Sequence, residues 1–244
     1  MLKKLFTTKL VIIPISILVI LLIVGGFLLL DNKWMTPLEK IKVNDESARV
    51  VYNIDEVIER DYSDESYVMF ALDYLKQEKN SNTFTVYEVR DTINEFFTVN
   101  FDIDKLNNIG ITPYMVERGV TFDTSSMSYT YNKTYTRVDI SEMKIVKYNI
   151  KKITKKSKTS YVVMYDRYVV NKPYNIYNYY LTKDNSQEKI DAISKYLKGD
   201  GPVNKVKDLI NKDNINEIGS VEGKLKVTYK VIDNKLKVSK IEKK

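Results

Sequence analysis

The run Leu10–Leu30, LVIIPISILVILLIVGGFLLL, carries no charge between Lys9 and Asp31, and no other feature constrains the chain as strongly. Its 21 residues make a helix about 31 Å long at 1.5 Å per residue, the thickness of a bilayer's hydrocarbon core. That exceeds the apolar region of a cleavable signal peptide, about 7–15 residues. Cleavage at Val24-Gly25-Gly26 would leave Phe27-Leu28-Leu29-Leu30 on the new terminus, so a permanent anchor is expected. Pro14 lies near the first turn, where its missing N–H costs little. The expected layout is a cytoplasmic tail at 1–9, a transmembrane helix at 10–30 in the lipid bilayer, a juxtamembrane connector at 31–45, and an α+β domain at 46–244.

Orientation follows from lysines. Lys3, Lys4 and Lys9 precede the apolar run, while Lys33, Lys40 and Lys42 follow it, a count close to equal. Only the tighter clustering of the first three places the N-terminus inside and the large domain outside the cell membrane. Trp34 and Met35 stand where an interfacial anchor would sit.

Two residue types are missing. With no Cys, disulfides, zinc–thiolate sites, thiol nucleophiles and a lipid-modified N-terminal Cys are excluded. With no His, the Ser-His-Asp constellation, His-based metal sites and the commonest acid–base side chain near neutral pH go too. Chemistry would have to rest on carboxylates, Lys or Tyr; no cofactor is expected. The net charge of +7 includes the three N-terminal lysines, and the remainder is spread thinly, which is not the footprint of a nucleic-acid binder.

Beyond the connector, Val50, Val51, Ile54, Val57 and Ile58 recur at helical spacing, with a strand through Arg49–Asn53 as the competing reading. Ser63 opens a helix to about Lys79 with Val68, Ala71, Leu72 and Leu75 on one face. Thr85 and Glu88 have capping-box spacing before a stripe of Val89, Ile93, Phe96 and Phe97. Thr112-Pro113 and Gly119 bracket a short helix. The period then changes to two. Val120–Phe122, Met127–Val138, Met143–Ile153, Ser160–Val170 and Tyr174–Leu181 read as strands, with 154–159 as a hairpin tip. A helical insert at 186–212 follows, with helices from Ser186 to Gly199 and from Pro202. Leu225, Val227, Tyr229 and Val231 then alternate into a turn at Asp233-Asn234 and return through Leu236 and Val238, with lysines on the solvated face. Helices over 46–119 and mainly strands over 120–244 predict helices packed on a curved antiparallel sheet.

Ile93-Asn94-Glu95-Phe96-Phe97, the Asp102/Asp104 segment, Ser128-Tyr129-Thr130-Tyr131 and the closing KLKVTYKVIDNKLKVSKIEK hairpin together carry a resemblance. It is to the exported domains of uncharacterised membrane-anchored proteins of low-GC Gram-positive bacteria. The closing hairpin also resembles the last strands of NTF2-like (cystatin-like) domains. The resemblance spans much of 63–241 in pattern and implies an envelope protein; no catalytic residue transfers with it.

Candidate sites are few. Tyr174, Tyr177 and Tyr180, within the aromatic run Tyr161–Tyr180, offer apolar bodies with polar tips that suit sugar rings or peptides. Strands also accept Tyr simply as a half-buried former. Lys155, Lys156 and Lys158, with Lys147, Lys151 and Lys152, concentrate charge that could meet an anionic wall polymer or lipid headgroups, or could simply protect a strand edge. Asp55, Glu56, Glu59, Asp61, Asp64 and Glu65 are carboxylates that could pair for glycoside hydrolysis or serve as capping acids. Asp102-Ile103-Asp104 begins like a calcium loop but lacks its glycine and closing Glu. Asn132-Lys133-Thr134 is a glycosylation sequon only where a secretory pathway reads it. Three readings stay open: a domain binding an envelope protein or wall polymer, a carboxylate/Lys/Tyr enzyme acting on cell-wall material, and a structural subunit of a membrane complex.

Overall fold

The computed structural model describes residues 34–51, 54–79, 81–132, 144–199, 201 and 203–244. The expected anchor at 10–30 lies outside them. Among the described residues, no helix is long and apolar enough to cross a membrane. The class is α+β, with the strands divided between two antiparallel sheets instead of forming one.

Helix α1 (Pro37–Val51) begins inside the stretch expected as connector. Thr36 and Glu39 make a capping box there: the Glu39 N–H donates to Thr36 Oγ1 at 3.1 Å and the Thr36 N–H to the Glu39 carboxylate at 3.3 Å. With Pro37 at the first helical position, this Thr-Pro-Leu-Glu signal sets the start. Val43, Ser47, Val50 and Val51 form the buried stripe, so the helical reading of 49–51 prevails over the strand. Helices α2 (Ile54–Glu59) and α3 (Asp64–Lys79) follow, α3 centred on fully buried Phe70.

Strand β1 (Thr83–Thr85) leads into α4 (Val86–Phe96), whose Thr85/Glu88 capping box forms as the spacing predicts. Asp102 caps α5 (Ile103–Ile109) by accepting from the Lys105 N–H at 2.7 Å. Thr112 caps α6 (Pro113–Glu117). Strands β2 (Val120–Asp123) and β3 (Ser128–Tyr131) complete a small sheet of order β1-β3-β2. Tyr129 and Tyr131 are fully buried there. The remainder of the strand expected to reach Val138, including Tyr135, lies outside the described residues.

The larger sheet joins β4 (Ile145–Ser157), β5 (Ser160–Val170), β6 (Ser220–Ile232) and β7 (Lys235–Lys243) in that order. The tip expected at 154–159 shrinks to Lys158-Thr159, because β4 pairs on to Ser157↔Ser160. At the β6–β7 turn Asp233 and Asn234 both have positive φ, 52° and 61°. That is the primed turn whose twist suits a two-residue hairpin, and Asp and Asn tolerate it.

One expected strand is a helix. Tyr174–Tyr179 forms α7 and runs into a wide turn at Tyr180–Asp184. Tyrosine's β propensity is outweighed by spacing: Ile176 and Tyr180, four apart, both bury in a second core. Helices α8 (Gln187–Leu197), α9 (Val203–Leu209) and α10 (Ile215–Ile218) complete the insert.

Strand alternation assigns the two cores to opposite faces of the larger sheet. Tyr161, Val163 and Tyr165 of β5 join α1–α6 in the first core, together with Tyr148 of β4. Tyr168 and Val170 of β5, with Ile145 of β4, meet α7–α10 on the other face. Register shifts at Ile150/Lys152 and Asp166/Tyr168 keep those phases aligned across the strands.

Candidate functional site

Strand β4 is the outer strand of its sheet, flanked among the described residues only by β5. Val146, Tyr148 and Ile150 therefore turn toward α1, while Lys147 and Asn149 turn toward the insert. A cleft of about 350 Å³ lies along this edge, between α1 and α9. Ala48, Val51 and Val146 make it apolar, and Asn44, Lys147, Asn149 and Asp208 supply polar atoms.

Lys147 is the chemically distinctive member. Its ammonium is half-buried and donates to the Ile210 carbonyl at 2.7 Å. Among the described residues no carboxylate lies within ion-pair distance of it. Burial holds its pKa below the usual lysine value, against a weaker opposing pull from Asp208. Tyr148 bounds the cleft and also lines a second one of about 320 Å³ that includes Asp55, Arg167 and Glu222. The Tyr148 hydroxyl donates to Asp55 at 2.6 Å, and burial followed by that carboxylate pushes its pKa far up. Tyr148 is therefore a neutral donor that fixes α2 to β4.

The structure disperses the expected lysine group. Lys151 pairs with Asp166 at 3.1 Å, and Lys152, Lys156 and Lys158 are exposed. Lys155 is structural: only 10% of its side chain is exposed, and it meets Glu39 at 3.0 Å and the Trp34 carbonyl at 3.0 Å. The Tyr161 hydroxyl also donates to Glu39. This clamp joins the start of α1 to the β4–β5 hairpin. The Glu39 carboxyl titrates below the usual carboxylate value: burial alone would raise it, and Tyr161 and Lys155 more than offset that. A carboxyl whose folded pKa is lowered stabilises fully above its unfolded value, and the contribution is lost as pH falls through the folded one. Acidification below about 4.5 is thus expected to loosen the clamp, seen as a shift in the fluorescence of Trp34, the chain's only tryptophan. Glu39→Gln should abolish that transition. An unchanged titration in Glu39→Gln would detach it from this carboxylate.

The expected tyrosine patch is also divided. Tyr174 is exposed and stacks on half-buried Tyr177 with ring centroids 5.5 Å apart. Tyr180 is 3% exposed; its hydroxyl donates to the Leu209 carbonyl at 2.8 Å and accepts from Asn214 at 3.1 Å. Because α7 is helical, no flat tyrosine platform forms. It follows the far end of β5, roughly 30 Å along the hairpin from Lys156 and Lys158.

Among the described side chains of the acidic group, Asp55, Asp64 and Glu65 each hold a different partner. Asp55 holds Tyr148, Asp64 pairs with Lys105 at 2.7 Å, and Glu65 pairs with Arg60 at 2.8 Å. The side chains of Glu56 and Glu59 lie outside the description. Asp102 is a helix cap, and no cluster suited to a metal occurs among the described residues.

Lys147 stood in the sequence only as one lysine among six. Asn149 carried no signal, since alternate polar residues on a strand read as a solvated face until α9 packs over them, and Asn44 and Asp208 read as ordinary polar positions of helices. No known protein family matches this chain, and no curated protein or solved structure matches it either.

Proposed function

We propose that this chain is a single-pass, membrane-anchored envelope protein whose exported domain binds an anionic group in the Lys147 cleft. The anchor rests on the uncharged, bilayer-length run at 10–30.

The observation that carries the binding reading is the ammonium of Lys147. Burying a charge costs free energy unless an opposite charge or hydrogen bonds offset it, and an ammonium has three donors to satisfy. Among the described residues one carbonyl is its hydrogen-bond partner, inside a cleft lined by two asparagines. A phosphate or carboxylate of a wall polymer would complete that set, with Asn44 and Asn149 as neutral donors.

The test is titration of the full-length protein, in nanodiscs of neutral lipid, with a glycerol-phosphate polymer. Lys147→Met keeps the apolar stem and removes the charge. Losing a hydrogen bond to a charged group costs roughly 1.5–3 kcal/mol, so affinity should fall about ten- to hundredfold. Lys152→Met, on the same strand and exposed, should bind as the native protein does, and raised salt should weaken native binding. Equal affinity of Lys147→Met and native protein would remove the cleft from the reading.

A further inference from the structure

The described chain begins three residues beyond Asp31, and its first segment carries an apolar surface with no cover. Trp34 is 74% exposed, Leu38 79% and Ile41 57%. Leu38 and Ile41 lie on the side of α1 roughly opposite Val43, Ser47 and Val50, the stripe that enters the core. Helix α1 is thus apolar on two sides, and only one of them is used by the fold. The clamp fixes what lies beside the outer stripe. Because Lys155 and Tyr161 hold Glu39 and the Trp34 carbonyl, the exit of the anchor is tied to the tip of the β4–β5 hairpin. Exposed Lys156 and Lys158 stand at that tip.

We infer that Trp34, Leu38 and Ile41, with Lys156 and Lys158, form a face by which the exported domain lies directly on an anionic bilayer surface. This rests on the reading of 10–30 as the anchor. What selects lipid as the occupant is position and charge together. An uncharged run of bilayer length ends at Leu30, four residues before Trp34, so the stripe is held at headgroup depth. Apolar side chains flanked by lysines match the boundary between acyl chains and acidic headgroups, where lysines are attracted to the negative surface. A clamped, lipid-bound α1 would hold the domain in one orientation, with the cleft beside Asn44 at a set height.

The chain has no Cys, so single cysteines can be labelled cleanly. Full-length protein would be reconstituted in vesicles of phosphatidylcholine with phosphatidylglycerol and labelled with NBD at Ile41→Cys, Thr159→Cys, Lys198→Cys or Ile20→Cys. Nitroxide lipids spin-labelled at the headgroup should quench residues 41 and 159 severalfold more than residue 198, which lies on the insert. The Lys156→Glu/Lys158→Glu pair should reduce quenching at 159 toward the level at 198, as should pure phosphatidylcholine. Residue 20 separates the two ideas. If residue 20 is quenched by acyl-chain nitroxides while 41 and 159 behave like 198, docking is overturned and the anchor stands. If residue 20 is unquenched, the anchor reading itself fails and this inference falls with it. Self-quenching between labels at 41 that rises with protein density, without lipid quenching, would assign the stripe to a second copy and overturn lipid docking.

Discussion

Gly219→Ala is expected to destabilise the protein by about 3 kcal/mol or more, at the upper end for overpacked cores. The residue lies between α10 and β6, and a Cβ there would fall 2.2 Å from the Val169 carbonyl oxygen and 3.1 Å from its carbon. Backbone cannot swing aside as a long side chain can, so β5 and β6 would have to separate where Val169 pairs with Ser220. That separation would also disturb the insert, because Ile215 and Ile218 of α10 belong to its core. Since the Ile210 carbonyl holds Lys147, the same change should weaken the anion binding proposed for the cleft. Urea unfolding followed by circular dichroism would read the loss as a midpoint lowered by roughly 1 M or more. Gly223→Ala is the comparison. Its positive φ of 76° makes an alanine strained, but the Cβ meets only the Lys244 carbonyl oxygen, at 3.2 Å, so a smaller loss is expected. A Gly219→Ala midpoint no lower than that of Gly223→Ala would mean that the two strands can part there cheaply.

Phe70→Ala should cost about 3–5 kcal/mol, the range for emptying a phenylalanine site in a close-packed core. Phe70 is fully buried on α3 and meets Phe96 and Phe97 edge-on, with ring centroids at 5.5 Å and 4.9 Å. Those contacts reach beyond the helices. Phe97 bridges to Val238, and the Thr98 N–H donates to the Val238 carbonyl at 2.9 Å, so this aromatic cluster joins α3 and α4 to β7. Phe70→Leu keeps most of the volume and should cost under about 1.5 kcal/mol. Differential scanning calorimetry would rank the two variants. Similar melting temperatures for both would show that the site collapses around the missing ring, and that the cluster is not what binds the helical layer to the sheet.

Legibility in the sequence followed the range of the forces involved. The α4 start was readable because its capping box lies within four residues, Thr85 to Glu88, and the same was true of Asp233-Asn234 at the closing turn. The α1 start was just as local, and Thr36-Pro37-Leu38-Glu39 carried it, yet the nearby apolar run drew that stretch into a connector. Tyr174–Leu181 misled because tyrosine favours strands on average, whereas the partners that decide its shape lie at Leu209 and Asn214. The lysines at 147, 155 and 158 are indistinguishable as letters. Their fates differ because α9, the start of α1 and open solvent are three different neighbours.

By itself the sequence determined the uncharged bilayer-length run, the absence of Cys and His, the capped helices and the alternating hairpin. Each is a property of composition or of contacts a few residues long. Only the tertiary structure decided which face of the larger sheet each core takes, that one lysine is half-buried in a cleft, and that α1 leaves an apolar stripe uncovered beside the hairpin tip. Those outcomes depend on contacts between residues more than sixty apart, such as Lys147 with Ile210 and Glu39 with Lys155. Burial and hydrogen bonding at such range are settled by packing, which no local pattern encodes.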